Sequence, residues 1–181
     1  MNDDAADLLP MPQILATERL ILRQFRRDDA PDVNSFADDP DYRRYLGEDH
    51  PSAAEFLANN VDGDWSRAPS WAIELDDRVV GGVFLGIDAA NRRAELACLV
   101  APLHWRQGLA LEACRAIVDH AFAIGLDQVW ARADTENLAS IAAMERLGMR
   151  RDSTPAVDAD ADPDGRKEVH YVLDRDVSSP A

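Results

Sequence analysis

Apolar residues alternate with polar ones in some segments of this chain and recur at helical spacing in others, which predicts seven strands and four helices. The predicted strands cover residues 17–25, 71–75, 79–87, a stretch that begins at 94, 128–133, 149–151 and 168–174. The predicted helices cover residues 27–37, 51–60, a central stretch between Gly108 and Gly125, and 137–148. This mixture of elements indicates an α/β fold.

The central helix has one apolar face that would pack on the sheet. Its members are Ala110, Ala113, Cys114, Ile117, Val118 and Ala121. A strand ends just before this helix, and Gly108 lies in the short turn between them. The first N–H groups of a helix lack internal partners, and the helix dipole adds partial positive charge there. The turn is therefore predicted to hold an anion such as the pyrophosphate of a cofactor, and the alternative is an ordinary crossover with a glycine in its turn.

One domain is predicted over residues 15–176, between a flexible, loosely held tail at residues 1–14 and a second flexible tail at residues 177–181. A chain of 181 residues is long enough to bury a substantial core. Neither internal repeats nor a shift in composition indicates a second domain.

Composition and charge narrow the class of protein. The chain is 46% hydrophobic and 29% charged, which is ordinary for a soluble globular protein. Its net charge of −15 argues against nucleic-acid binding and weakly favours a cationic substrate. No apolar run has membrane-spanning length and the N-terminus is acidic, so we expect no membrane partner and a cytoplasmic location.

The two cysteines, Cys98 and Cys114, fall at apolar positions of the predicted strand and central helix. Buried free thiols fit a reducing compartment. A catalytic thiol is the less favoured alternative.

The acidic loop at residues 158–165 imitates the start of a calcium-binding loop. Tyr171 stands where such a loop needs glutamate, so no metal site is predicted. The favoured interpretation is a solvated loop, and the alternative is that its charge also attracts a cationic acceptor.

Three motifs follow one another in a recognisable order. They are Thr17-Glu18-Arg19-Leu20-Ile21-Leu22-Arg23, then Pro102 through Ala113 around the glycine turn, and Asn137-Leu138-Ala139-Ser140-Ile141 through Met149. Together they resemble the GNAT acyltransferase superfamily, in particular its branch of ribosomal-protein N-terminal acetyltransferases. One departure is Trp105, where the superfamily usually has arginine or glutamine. The resemblance implies a mixed, mostly antiparallel sheet of about seven strands flanked by about four helices, and it also allows a homodimer.

The resemblance implies acetyl-CoA as the cosubstrate, with no metal. Leu99 and Val100 would offer N–H groups to the pantetheine arm and thioester, and Asn137 would contact the cofactor. The pyrophosphate would be held by the backbone N–H groups of Trp105, Arg106, Gln107, Gly108, Leu109 and Ala110.

Two catalytic roles follow from the same resemblance and from residue chemistry. Ser140 would protonate or hydrogen-bond the departing thiolate, and Glu95 is the leading candidate for a general base. The alternatives are that Asn137 only caps its helix, that Ser140 is a surface hydroxyl, and that Glu95 is merely exposed at a sheet edge. In that case positioning and desolvation of the amine would suffice for catalysis.

The predicted function is direct transfer of an acetyl group from acetyl-CoA to a primary amine, on either a protein N-terminus or a small molecule. The alternative is a catalytically inactive acyl-CoA-binding module that serves as a sensor or interaction domain. The presence of both Asn137 and Ser140 favours the enzyme.

Overall fold

A single sheet of eight strands forms the centre of the fold in the computed structural model, which describes residues 8–44, 50–152 and 167–176. The strands are β1 (Ile14–Ala16), β2 (Ile21–Gln24), β3 (Ser70–Leu75), β4 (Arg78–Asp88), β5 (Arg93–Val100), β6 (Gln128–Asp134), β7 (Arg150–Asp152) and β8 (Glu168–Asp174). Their order across the sheet is β1-β2-β3-β4-β5-β6-β8-β7. Every neighbouring pair is antiparallel except β5 and β6, which run parallel.

Five α-helices and two short 3-10 turns accompany the described strands. The helices are α1 (Ala30–Phe36), α2 (Pro40–Arg43), α3 (Ala53–Val61), α4 (Leu109–Ala123) and α5 (Leu138–Arg146). The 3-10 turns cover Arg27–Asp29 and Pro102–His104. Local sequence sets several boundaries: Ser52 and Glu55 form a capping box at the start of α3, and Asn137 caps α5.

The sheet separates two apolar cores. The larger core contains Ile117 and Val118 of α4 and Met144 of α5, packed against strand residues such as Trp71 and Val129. The smaller core lies on the other face, where α1 and α3 pack against the sheet. Its aromatic members are Phe25, Phe36, Tyr42 and Phe56, with Phe84 at its edge. The two faces are therefore called the α4 face and the α1/α3 face.

The parallel pair β5 and β6 stays together for only three residues. Strand β5 pairs with β4 along its whole length, from Arg93 to Val100, but it pairs with β6 only from Arg93 to Glu95. Beyond Glu95 the two strands separate and leave a gap in the sheet. Since both strands run in the same direction, α4 and α5, which follow them, begin at the edge where the gap opens.

The predicted α/β class and mostly antiparallel sheet are confirmed, with one more strand and one more helix than expected. The additional strand is β1, which has three residues, and the additional helix is α2, which has four. Elements this short carry too few residues to show a period.

The sequence predicts a flexible tail over residues 1–14, but residues 8–14 are held against the domain. Met11 is buried, Leu9 N–H donates to the Ile124 carbonyl at 3.2 Å, and the Trp71 indole donates to the Pro12 carbonyl at 2.9 Å. These bonds join residues far apart in sequence, so no local pattern announces them. Residues 1–7, the tail at 177–181 and the acidic loop at 158–165 lie outside the described residues.

Candidate active site

The end of β5 directs alternate backbone N–H groups, including that of Val100, at the gap. Hydrogen bonds between antiparallel strands alternate along the pair. The Ala101 N–H donates to the Val80 carbonyl at 2.8 Å, so with this register Leu99 bonds to Gly82 and Val100 does not bond to β4. The expectation that the N–H groups of both Leu99 and Val100 are free is therefore wrong for Leu99, whose N–H is directed at β4.

Six consecutive backbone N–H groups are unused at the turn before α4. Within the described residues, none of the N–H groups from Arg106 to Leu111 has a hydrogen-bond acceptor. The first bond of the helix runs from the Glu112 N–H to the Gly108 carbonyl at 3.0 Å. The sequence predicts that the Trp105 N–H is also available to an anion, but this N–H is already used. It donates to the Pro102 carbonyl at 3.1 Å and closes the preceding 3-10 turn.

The backbone of this turn has two residues in the left-handed region. Gly108, the residue that caps α4, has a φ of 79°, and Arg106 has a φ of 61°. Left-handed residues beside a helix start bring successive N–H groups round to one side, which makes a concave anion site. A non-glycine residue with positive φ is costly, and such residues cluster at functional sites.

Trp105 anchors the turn to the end of β5. Its indole N–H donates to the Val100 carbonyl at 2.6 Å, and its side chain is still 44% exposed. The unexpected aromatic residue thus has a structural contact of its own. Val100 consequently offers only its N–H, and not its carbonyl, to a ligand in the gap.

The β1–β2 loop holds the first turn of α4. Thr17 Oγ1 and the Arg19 N–H donate to Glu112 Oε1 at 2.5 Å and 2.8 Å. Arg19 Nε donates to Glu112 Oε2 at 2.7 Å, and Arg19 Nη1 donates to the Gln107 carbonyl at 3.0 Å. Burial opposes ionisation of Glu112, but the bonds from Thr17 and Arg19 outweigh it and lower its pKa. No sequence pattern predicts these contacts, although a carboxylate in the first turn of a predicted anion-binding helix is itself unexpected and calls for a compensating charge.

The start of α5 places Asn137 and Ser140 at the same edge. Asn137 Oδ1 accepts a hydrogen bond from the Ser140 N–H at 3.1 Å, so Asn137 is the helix cap. Ser140 Oγ has no hydrogen bond to any described residue. The capping contact uses the Asn137 oxygen and leaves its NH₂ group available to a ligand.

Glu95 lies at the last paired position before the gap, on the α1/α3 face. Its Oε1 accepts from Arg132 Nε of β6 at 3.0 Å, and Arg132 also contacts Glu168 of β8 at 3.4 Å. Burial lowers the pKa of Arg132, and the two carboxylates outweigh that effect and raise it. The predicted base is thus held in an ion pair instead of standing free.

The thiol of Cys98 is unsuited to act as a nucleophile. The neighbouring Cys114 thiol and burial both raise the pKa of Cys98 well above its ordinary value. At neutral pH the group is protonated, whereas a nucleophilic cysteine needs the thiolate.

Tyr42 and His50 form an aromatic contact on the α1/α3 face that no sequence pattern predicts. Their ring centroids lie 6.2 Å apart. His50 Nε2 is buried and has no hydrogen-bond partner among the residues that the structure describes, and burial and Arg43 lower the pKa of His50. Burial and the nearby Cys98 raise the pKa of Tyr42. A neutral imidazole therefore stands beside a protonated phenol, and a single histidine in an irregular segment gave no sequence signal.

The gap thus meets different chemical groups on the two faces of the sheet. On the α4 face it meets a cradle of N–H groups and two helix N-termini, which can bind an anionic, extended ligand. On the α1/α3 face it meets Glu95 and its ion-pair partner. The described residues contain no cluster of three or more side chains able to hold a metal ion, and none of their helices is long and apolar enough to cross a membrane.

Known proteins are similar to this chain both in sequence and in fold. A family model described as an acetyltransferase (GNAT) domain matches residues 19–150. The chain is 30% identical to a Bacillus subtilis protein named as the uncharacterized N-acetyltransferase YoaA, over 77% of this chain and 84% of that one. It is 28% identical to a Bacillus licheniformis protein named as the uncharacterized N-acetyltransferase p20, over 77% of this chain and 84% of that one.

Solved structures show the same fold at lower identity. A GNAT-family acetyltransferase from Bacillus anthracis superposes with a TM-score of 0.75 at 23% identity, covering 89% of this chain and 98% of that one. A probable GNAT-family acetyltransferase from Chromobacterium violaceum superposes with a TM-score of 0.77 at 22% identity, covering 96% of this chain and 92% of that one. The chain belongs to the GNAT family and is an N-acetyltransferase.

Proposed function

We propose that this enzyme transfers an acetyl group from acetyl-CoA to a primary amine, with the turn before α4 holding the pyrophosphate. The observation that carries the proposal is the run of six unused N–H groups from Arg106 to Leu111. Acyl-CoA compounds carry a pyrophosphate, and helix N-termini with unused N–H groups bind such groups. The guanidinium of Arg106, on an exposed turn, adds positive charge.

The residues along the gap fit the remaining length of the cosubstrate. The Val100 N–H, directed away from β4, can donate to an amide or to the thioester carbonyl. The Asn137 NH₂ group and Ser140 Oγ lie at the start of α5, on the β6 side of the gap. These groups support Val100 and Asn137 as cofactor residues. Leu99 would contribute its side chain and not its N–H, and the N–H of Trp105 is already bonded to the Pro102 carbonyl.

Bound acetyl-CoA supplies the acetyl group as a thioester, whose carbonyl carbon the neutral amine attacks. The Val100 N–H would polarise that carbonyl by donating to its oxygen. Ser140 Oγ would donate a hydrogen bond to the departing sulfur. Glu95, which is paired with Arg132, would attract the ammonium form of the acceptor and receive its proton directly or through water.

A protein N-terminus is the acceptor we favour. The residues Thr17 to Arg23 resemble the ribosomal-protein acetyltransferase branch, and a Vibrio cholerae structure described as a ribosomal-protein-serine acetyltransferase superposes with a TM-score of 0.70 at 19% identity, covering 92% of this chain and 100% of that one. The net charge of −15 and the carboxylates Glu95 and Glu168 beside the gap suit a cationic partner.

Gly108→Glu tests whether the turn before α4 holds the pyrophosphate. Substitution with glutamate forces a side chain onto a residue with a φ of 79° and adds a negative charge at the proposed pyrophosphate site. We expect CoA affinity, measured by isothermal titration calorimetry, to fall by at least about 100-fold, since like charges repel strongly at short range. Gly148→Glu is the matched control, because Gly148 has a φ of 88° with open space around it and lies at the far end of α5. Unchanged CoA affinity in Gly108→Glu would contradict the proposal that this turn binds the pyrophosphate.

Turnover separates the enzyme from a binding module. Release of free CoA thiol is measured with peptides bearing free N-terminal amines and with small amines. Thiol release that depends on the amine supports the proposal, and CoA binding without release on any amine would favour the inactive module.

A further inference from the structure

We propose that Arg19 is a positioning residue of the cofactor turn, which orients the Gln107–Gly108 peptide and neutralises Glu112. This inference rests on the proposed function, because it assigns a role within the same acyl-CoA site. It concerns a residue of the β1–β2 loop, which lies 93 residues before Glu112 in the chain.

The bond from Arg19 to the turn fixes a peptide plane. Arg19 Nη1 donates to the Gln107 carbonyl at 3.0 Å. In a trans peptide the carbonyl and the following N–H point in opposite directions. Holding the Gln107 carbonyl towards Arg19 therefore turns the Gly108 N–H away from Arg19. This N–H is one of the six unused donors, so its direction matters for the anion.

The bonds from Arg19 to Glu112 offset an unfavourable charge. Glu112 is the acidic residue in the first turn of α4, and its lowered pKa keeps it ionised at neutral pH. An unpaired carboxylate there would repel a pyrophosphate at the same helix end. Arg19 Nε and Nη2 lie 2.7 Å and 2.6 Å from Glu112 Oε2, which places the compensating charge in direct contact.

The same guanidinium stays accessible from the site. The Arg19 side chain is 43% exposed, whereas that of Glu112 is 16% exposed. A Cβ at Gly108 would stand 3.6 Å from Arg19 Nη2, so the guanidinium borders the glycine that caps α4. Arg19 thus contacts the Gln107 carbonyl of the turn and the Glu112 carboxylate of α4 at the same time.

Arg19→Gln tests the role through CoA binding. We expect its CoA affinity to fall about tenfold, the scale of one lost charge-assisted hydrogen bond. In turnover assays the KM for acetyl-CoA should rise while kcat stays within about twofold of the wild type, because the reacting atoms are untouched. Arg19→Lys keeps the charge but cannot bridge Gln107 and Glu112 in the same way, so it should restore only part of the affinity.

A double substitution isolates the charge effect. In Arg19→Gln/Glu112→Gln no carboxylate remains to repel the anion, so we expect part of the lost CoA affinity to return. Equal affinity in the single Arg19 variant and the double variant would overturn the neutralising role. Arg150→Gln is the matched control, because Arg150 forms an exposed ion pair with Asp174 on β7 and β8.

Backbone relaxation tests the positioning role without ligand. In ¹⁵N relaxation measurements of ligand-free protein, the order parameter of the Gly108 amide should fall from about 0.85 towards about 0.6 in Arg19→Gln. An unchanged order parameter, or CoA affinity within twofold of a wild type that binds CoA, would overturn the inference. A wild type that binds no CoA would instead overturn the proposed function, and the relaxation result would still decide whether Arg19 holds the turn.

Discussion

At the scale of single residues, the last residue of the Thr17–Arg23 motif forms a buried ion cluster. Arg23 and Asp29 are 7% and 6% exposed. Two Arg23 nitrogens donate to the two Asp29 oxygens at 2.9 Å and 2.8 Å, and Arg23 Nε donates to Glu74 at 2.5 Å. The bond to Asp29 raises the pKa of Arg23, and burial only partly opposes this. The motif therefore serves two purposes, since Thr17 and Arg19 hold the turn before α4 while Arg23 forms an ion cluster in the interior.

Removing Asp29 should strongly destabilise the protein. Asp29→Ala leaves the buried Arg23 with one partner fewer and also removes the acceptor of the Arg26 N–H, so we expect a loss of about 3–5 kcal/mol in the free energy of unfolding. Urea denaturation measures it. Arg27→Ala, which breaks the exposed pair of Arg27 with Asp62, should cost less than about 1 kcal/mol. Similar losses in the two variants would contradict this account.

Residue roles were predictable from sequence where they depend on local chain geometry. Gly108 was predicted to lie in the turn before α4, and a helix cap was the alternative role considered for Asn137, because a helix start needs particular residue types. Arg19 and His50 were not identified, because their roles depend on partners or burial that only the folded chain supplies. The same reason explains the error at Leu99, whose N–H direction depends on its register with β4.

At the scale of elements, the β3–β4 hairpin carries backbone strain in its turn. Leu75 pairs with Arg78, so the turn consists of Asp76 and Asp77, whose φ angles are 50° and 61°. Two positive φ angles define the turn type that prefers Asn-Gly. Neither aspartate is the best residue at its position.

Asp76→Asn together with Asp77→Gly should stabilise the protein. Relief of the left-handed strain at position 77 is expected to add about 1 kcal/mol and to raise the Tm by about 2–4 °C. Differential scanning calorimetry measures the shift. Asp76→Asn with Asp77→Ala removes the same charges but keeps a Cβ, so it should bring no such gain. Equal Tm values for the two variants would show that removal of charge, and not relief of backbone strain, causes the gain in stability.

Elements with a long, clear pattern were predicted well, and short ones were not. The strand predicted at residues 168–174 is β8, and the helix predicted after Gly108 is α4. Strand β1 and helix α2 were missed because three and four residues are too few to show a period, although Asp39 and Pro40 at the start of α2 are a local helix-start signal.

At the scale of the whole molecule, the arrangement of strands creates the site. The three-residue parallel contact of β5 and β6 leaves the gap, and it brings the starts of α4 and α5 to one edge. Hydrophobic periodicity predicts that both strands exist but does not say which strands are neighbours. The resemblance to a known family therefore contributed what the pattern could not.

The same gap has a consequence for the order of events in catalysis. An opening through a sheet has a mouth on each face, so donor and acceptor can be bound together, one from the α4 face and one from the α1/α3 face. No acetyl group then needs to be stored on the protein, which agrees with the protonated state of Cys98. Initial-rate measurements with both substrates varied should give intersecting double-reciprocal lines. Parallel lines, the mark of a ping-pong mechanism, would mean that the two mouths do not serve separate ligands.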